Sequence, residues 1–356
     1  MSAALNHDIN RRPPVRIGVV GVGRIGRMHA ELLARSVPGA SLGPLFDVDG
    51  RVASELAAQL GVPHAESVDE LLASEIDAVA ICSSTDSHAD LLVAAAEAEK
   101  AIFCEKPVSL DLATVDRALA AVRDAGVTFQ IGFNRRFDPA HASVREAVAS
   151  GRVGDVHLVR ISSRDPEPPP LSYVQVSGGI FLDMSIHDFD MARFVTGSEV
   201  TEVYALGALR IEPAFAQAGD LDTVVINLLH ANGTITTIDN SRKAVYGFDQ
   251  RLEAFGSAGV AASENPLIHT GTVRTSQGAA APPLPYFFIE RYMASYLHQW
   301  AHFVHLVNSG EPTDTQLADA RAPLAIGLAA WRSVHEHRPI AVAAIEAQPT
   351  LQTDPS

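Results

Sequence analysis

The sequence predicts an α/β protein in two parts, an N-terminal doubly wound parallel sheet followed by a C-terminal α/β domain whose strands run in series. Three observations predict it. From Val15 to Phe133, short apolar runs alternate with helix-length segments, the pattern of a parallel sheet joined by crossover helices. The first strand runs straight into the glycine-rich turn Gly21-Val22-Gly23-Arg24-Ile25-Gly26, which opens a helix. Beyond Gly197 the strand patterns follow one another without helices between them, so the second sheet is antiparallel or mixed. A chain of 356 residues accommodates two cores.

In order, Val15–Val20 reads as the first strand and Ile25–Arg35 as the first helix. Gly21 and Gly23 let the backbone turn and approach a pyrophosphate at the helix N-terminus, where Arg24 and Ile25 also lie, and Gly26 allows close helix packing. The next apolar run, Leu42–Phe46, ends in Asp47, 21 residues after Gly26. A carboxylate at that spacing suits the adenosine ribose hydroxyls and repels a 2′-phosphate. The expected cofactor is therefore NAD rather than NADP, with Arg51 as the residue that could favour the phosphate. Helix Val52–Leu60, strand Asp77–Cys82, helix Asp86–Glu97, strand Ala101–Cys104, helix Leu110–Ala125 and strand Val127–Phe133 complete the alternation. Ligands of such sheets lie past the carboxyl ends of the strands. Ser83, Thr85 and His88 fall there, as do Glu105 and Lys106, and all five are candidates to face the cofactor. Ser83 to Asp86 also reads as a simple helix N-cap. The Lys106 ammonium, beside a dinucleotide, can hydrogen-bond a substrate hydroxyl and ease developing alkoxide charge.

The second part begins with helix Pro139–Ala149, strand Val156–Ser163 and the stiff Pro166-Glu167-Pro168-Pro169-Pro170 loop. Then comes Gly178-Gly179-Ile180-Phe181-Leu182-Asp183-Met184-Ser185-Ile186-His187-Asp188-Phe189-Asp190. Wound as one helix at about 100° per residue, it places Asp183, His187 and Asp190 in one stripe fenced by Leu182, Ile186 and Phe189 and by Met184 and Met191. Ser185, Asp188 and Ala192 take the water side. A carboxylate four residues before a histidine can fix the imidazole tautomer and raise its basicity, as proton abstraction requires. A packed His–Asp pair with no chemistry fits the same spacing. Strand Glu199–Leu206, the hairpin of Val224–Leu229 with Thr234–Ile238, and strands Asp249–Phe255 and Thr272–Thr275 follow. Helices Ile289–Asn308 and Leu317–His335 come last. His298, His302 and His305 share a helix face that has no carboxylate and lies opposite Leu297, Trp300 and Val304, so the expectation is no metal. A sheet with helices on one face needs a partner on the other, and self-association is expected there.

Composition sets limits. Lys plus Arg 27 against Asp plus Glu 42 gives a net charge of −15, which repels a nucleic-acid backbone or an anionic membrane. Residues 1–14 are polar, without a signal-peptide core, and are expected to be disordered; residues 342–356 read as a loose tail. Cys82 and Cys104 are the only cysteines and form no disulfide or metal pattern. A cytoplasmic location fits best.

Four motifs stand together: the Gly21 turn, Glu105-Lys106-Pro107, Asn134-Arg135-Arg136-Phe137, and the Gly178 to Asp190 stretch. In that order, from about Val15 to Pro339, the chain resembles the glucose-fructose oxidoreductase and inositol dehydrogenase family. With Asn240-Ser241-Arg242 and Tyr246-Gly247-Phe248-Asp249-Gln250-Arg251, it is most similar to the inositol 2-dehydrogenase branch. The resemblance implies an NAD-binding Rossmann domain at 15–134 and a substrate-binding domain at 135–341 with a large open, mostly antiparallel sheet that assembles a homotetramer. It implies a catalytic triad of Lys106, Asp183 and His187, with Arg136, Asp165, Asp190 and Tyr246 near the substrate. The expected reaction is NAD-dependent oxidation of a cyclic polyol, myo-inositol first. A pyranose or anhydrosugar dehydrogenase with the same triad is the alternative, and a non-catalytic NAD-dependent sensor a more distant one.

Overall fold

In a computed structural model, which describes residues 13–312 and 314–347, the chain divides into two compact units. One comprises the residues up to Phe133 together with Tyr296–Arg321, and the other comprises Asn134–Ser295 and the residues from Ala322 on. The expected second domain, unbroken from 135 to 341, does not allow for this return of Tyr296–Arg321 to the first unit.

The first unit is built on strands β1 (Val15–Val20), β2 (Ala40–Phe46), β3 (Ala78–Ile81), β4 (Ala101–Cys104) and β5 (Phe129–Ile131), with helices α1 (Arg24–Arg35), α2 (Gly50–Leu60), α3 (Val68–Ala73), α4 (Thr85–Glu97) and α5 (Leu112–Ala125) in the crossovers. The strand order is β2-β1-β3-β4-β5, all parallel. β3 and β4 are apolar and buried along their whole length, as strands covered on both faces must be. The helix ends follow their chemistry. Asp49, Ser67 and Asp111 cap α2, α3 and α5 through side-chain oxygens, and left-handed Gly61 and Gly126 end α2 and α5. Helix α3 is absent from the sequence expectation. Its six residues are too few to show a period.

The second unit carries helix α6 (Pro139–Ala149), strand β6 (Val156–Arg164), helices α7 (Leu171–Ser177), α8 (Gly179–Asp183) and α9 (Ile186–Thr196), and strands β7 (Val200–Ala208), β8 (Thr223–His230), β9 (Ile235–Ser241), β10 (Asp249–Gly256) and β11 (Gly259–Ser263). A small hairpin of β12 (Val273–Thr275) and β13 (Gly278–Ala280) follows. Helices α10 (Phe288–Ser309) and α11 (Asp314–Glu336), strand β14 (Ile340–Ala341) and helix α12 (Val342–Glu346) close the chain. The sheet order is β11-β10-β6-β9-β8-β7-β14, with β6 and β9 parallel and every other pair antiparallel. Strict alternation along β8 buries Val224, Ile226 and Leu228 and leaves Val225, Asn227 and Leu229 exposed, so one face is core and the other is open.

Two expectations need correction here. The tail is not loose at its start, because Val342 and Ile345 of α12 are buried. The rest of the tail and residues 1–12 of the N-terminus lie outside the described residues. The water side assigned to Ser185, Asp188 and Ala192 is also wrong, since all three are fully buried. Asp188 accepts hydrogen bonds from Arg135 at 2.7 Å, Ser163 at 2.6 Å and Asn240 at 2.8 Å, which satisfies a buried carboxylate.

Candidate active site

The glycine turn of the first unit is shaped by close approach. Gly21 has φ +84° and a Cβ there would lie 2.4 Å from the Ser83 Cα, while a Cβ on Gly26 would lie 1.8 Å from the Gly21 carbonyl oxygen. Gly23, by contrast, is exposed and has nothing within 4 Å of a Cβ position. It is the N-cap of α1, whose first turn holds Arg24, Ile25 and Gly26 and no acidic residue. That leaves backbone N–H groups and the positive helix end open to a phosphate. Asp47 follows β2 and its carboxylate accepts the Val22 amide at 2.8 Å and the Asp49 amide at 3.0 Å. These bonds fix it beside the turn and leave lone pairs for ribose hydroxyls. Arg51 pairs instead with Glu55 at 2.9 Å and Asp49 at 3.7 Å. The residues present therefore fit NAD, which Gly21, Gly23, Arg24, Ile25, Gly26 and Asp47 would hold.

Past the ends of β3 and β4 several of the candidate side chains serve as supports. Thr85 begins α4, and Ser83 Oγ pairs with Ser87 Oγ at 2.7 Å. His88, expected to face the cofactor, is buried, with its ring nitrogens 2.8 Å from the Pro107 carbonyl and 2.9 Å from the Ser83 carbonyl. It is a strut between the two loops. The Glu105 carboxylate also turns inward, to His29 Nε2 at 2.9 Å and the Lys106 amide at 3.3 Å. Burial, and next the Glu105 charge, push both the Cys82 and Cys104 thiols well up, so neither is a nucleophile. Lys106, half-buried, begins a cis Lys106–Pro107 bond at the end of β4.

In the second unit the expected single helix is two. Left-handed Gly178 ends α7 and left-handed Gly179 opens α8, where a Cβ would lie 2.7 Å from Asp220 Oδ1. Helix α8 stops at Asp183, and α9 starts only at Ile186. The Met184 carbonyl, not that of Asp183, receives the His187 amide. The 100° stepping therefore does not run from Asp183 to His187. The Asp183 carboxylate is oriented by Tyr173, which the sequence did not single out, and by Arg242, which it gave only as part of a motif and not as a partner of Asp183. The Tyr173 hydroxyl donates to Oδ1 at 2.8 Å, and the Arg242 guanidinium donates to Oδ2 at 3.3 Å. Arg242, 1 % exposed, also pairs with Asp220 at 3.4 Å. Burial, and next the Asp183 charge, raise the Tyr173 hydroxyl above its usual range, so it remains a donor.

The expected substrate contacts fall into three groups. Arg136 grips Asp190 through Nε at 2.8 Å and Nη2 at 2.5 Å, a forked ion pair with Phe194 under the guanidinium at 5.2 Å. Asp165 follows β6, its amide bonded to the Ser241 carbonyl. Its carboxyl is pushed up to about 6 by burial, with Arg242 opposing and Asp183 reinforcing. Half-exposed Tyr246 donates to Asp249 at 2.7 Å and accepts from Arg164 at 2.9 Å. In the first unit, His302 meets Gln130 at 2.7 Å and His305 meets Glu311 at 3.2 Å. Among the described residues no group of three or more His, Cys, Asp or Glu is set to hold a metal ion, and no helix is long and apolar enough to cross a membrane.

A parallel sheet with this glycine turn, followed by a mixed-sheet domain, defines a two-part dinucleotide-binding protein. Residues 15–133 match the oxidoreductase family with an NAD-binding Rossmann fold, and residues 141–262 match the GFO/IDH/MocA C-terminal domain. The chain belongs to the GFO/IDH/MocA oxidoreductase family. It is 46 % identical to myo-inositol 2-dehydrogenase of Thermotoga maritima over 92 % of this chain and 98 % of that one. It is 43 % identical to inositol 2-dehydrogenase of Rhizobium meliloti over 92 % and 99 %. The crystal structure of scyllo-inositol dehydrogenase from Lactobacillus casei with bound NAD(H) and scyllo-inositol superposes with a TM-score of 0.86, at 29 % identity, over 93 % and 99 % of the two chains.

Proposed function

We propose that this protein oxidises one secondary alcohol of myo-inositol to the ketone, giving 2-keto-myo-inositol, with NAD as the acceptor. The observation that carries the reading is likeness along nearly the whole chain to proteins named for that reaction. The site residues support it. Bound NAD supplies the hydride acceptor. His187 takes the hydroxyl proton as general base, Asp183 provides the neighbouring carboxylate, and Lys106 hydrogen-bonds the reacting oxygen. The clamp of Tyr173 and Arg242 on Asp183 supports that role, because a charge fixed in advance costs no reorganisation during the reaction. Arg136, Asp165, Asp190 and Tyr246 are proposed to bind the polyol, Asp190 acting through its ion pair with Arg136.

The scyllo-inositol held by the Lactobacillus casei relative favours a second reading, the epimer at the same carbon, which gives the same ketone. Self-association through the open face of the second sheet, as a homotetramer, belongs to the proposal as well. The deciding experiment is a spectrophotometric screen of inositol epimers and pyranoses with NAD and NADP. The expected order is myo-inositol with NAD above all others. A tenfold higher kcat/KM for scyllo-inositol or a pyranose, about 1.4 kcal/mol in transition-state binding, would transfer the assignment, and equal use of NADP would remove Asp47 from cofactor choice.

A further inference from the structure

We propose that His29 is a positioning residue for the reaction, acting through Glu105 on the strand end that carries Lys106; this rests on the reading of Lys106 as the group that holds the reacting oxygen. His29 lies on α1 and is wholly buried. The indole Nε1 of Trp300 is 3.0 Å from His29 Nδ1. An indole N–H only donates, so Nδ1 is the acceptor and the neutral ring carries its proton on Nε2. That nitrogen is 2.9 Å from Glu105 Oε1, and the bond runs from His29 to the carboxylate. The tautomer is thus set by Trp300. A second proton, on Nδ1, would point one N–H at another. The rings of Phe103, Tyr296 and Trp300 meet the imidazole edge-on at 5.3 to 5.5 Å and hold its plane.

The other Glu105 oxygen accepts the Lys106 backbone amide at 3.3 Å. A directed chain therefore runs from Trp300 through His29 and Glu105 to the main chain of Lys106. Packing alone does not call for such a chain, since apolar side chains of the same volume would fill the space without drawing a half-buried carboxylate inward. Placed at the carboxyl end of β4, where dinucleotide folds take their ligands, it fixes the origin from which the lysine reaches out.

The test is steady-state kinetics of the intact protein with myo-inositol and NAD. His29→Leu keeps bulk but donates nothing and should lower kcat by about tenfold to a hundredfold, the scale of a small misplacement of a reacting group, with KM for NAD changed less than about threefold. His29→Gln, whose amide can donate to Glu105, should recover most of the loss. Combined with Glu105→Gln, His29→Leu should cost no more than the worse single change, because both act in one chain. Wild-type kcat in folded His29→Leu, equal losses in the Leu and Gln variants, or losses that multiply would overturn the proposal. Should His29→Leu fail to fold, Trp300→Phe carries the test: a lower kcat at an unchanged melting temperature supports it and an unchanged kcat overturns it. The underlying reading is tested separately by Lys106→Ala. Wild-type turnover there removes the role of Lys106 itself, whereas an inactive Lys106→Ala beside fully active His29 variants removes only the relay.

Discussion

Asp165 shows how one carboxyl in this fold ties pH to stability. Although half-buried as a residue, its carboxyl is enclosed and titrates at about 6 instead of 3.8, first because of burial, with Asp183 adding to the shift and Arg242 opposing it. The folded protein therefore binds this proton more tightly than the unfolded chain does. The group is least costly below about 3.8, and stability falls as pH rises from there through 6, the reverse of a salt-bridged carboxylate. Asp165→Asn should remove that slope. Melting curves should show the variant gaining on the wild type as pH rises from 4 to 6, by at most about 3 kcal/mol, with a constant gap above. A gap that does not change with pH would show that Asp165 titrates normally. With His187 in its proposed role of general base, His187→Ala should lower turnover by about 10²–10⁴ with NAD affinity nearly unchanged, and a variant keeping a third of wild-type turnover at saturating substrate would remove that role.

At the scale of elements, helix α8 is held at both ends by one arginine. Arg242 reaches Asp183 at its C-terminal end, and its second partner, Asp220, accepts the Ile180 amide near its start at 2.9 Å. Arg242→Met would remove this guanidinium from both carboxylates. Breaking such a pair costs about 3–5 kcal/mol, so the melting temperature should drop on the order of 10 °C, with turnover lost as Asp183 loses its orientation. A variant as stable and as fast as the wild type would show that the arginine merely fills space. The sequence revealed the parts of this region and not their joint. Gly178, Gly179, Asp183 and His187 are visible as a motif, but nothing local marks the break at Met184 and Ser185. It is fixed from outside, by the 2.5 Å bond from Ser185 to Asn240 and by the bonds on Asp188 from Arg135, Ser163 and Asn240. A polar residue whose partners lie so far along the chain looks solvated until the fold assembles them. His29 and Trp300 escaped notice for the same reason, being 271 residues apart in sequence. The glycine turn and the Asp47 carboxylate were legible because they lie within one strand–turn–helix–strand unit, β1 to the end of β2, where the spacing alone brings them together.

At the scale of the molecule, the register of the second sheet gathers its exposed apolar side chains into a line. Across the strands, Leu229 pairs with Ile235, Ile235 with Leu158, Leu158 with Phe255, and Phe255 with Val260. Leu229, Ile235, Phe255 and Val260 are exposed and Leu158 is half-buried. A parallel row adds Leu206 opposite Val225, both exposed. Scattered surface apolar residues are ordinary, but a contiguous row across five strands is the kind of surface that a partner would bury. Two such faces can pack as stacked sheets, and a two-fold axis lets the same row serve both copies. The rows beside it, Arg160 paired with Glu253 at 3.2 Å and Asp239 with Arg164, satisfy their charges within the sheet and so add little repulsion to a close approach. This supports the proposed assembly and predicts how to undo it. Ile235→Glu with Phe255→Glu places two like charges in the middle of the row, where a second copy would bury them unpaired at a cost of several kcal/mol each. Sedimentation at micromolar concentration should show the wild type as an oligomer and the double variant as a smaller species, with an unchanged circular dichroism spectrum because both positions face away from the core. A monomeric wild type, or a double variant that sediments with it, would leave this row open to solvent and place any assembly on another face.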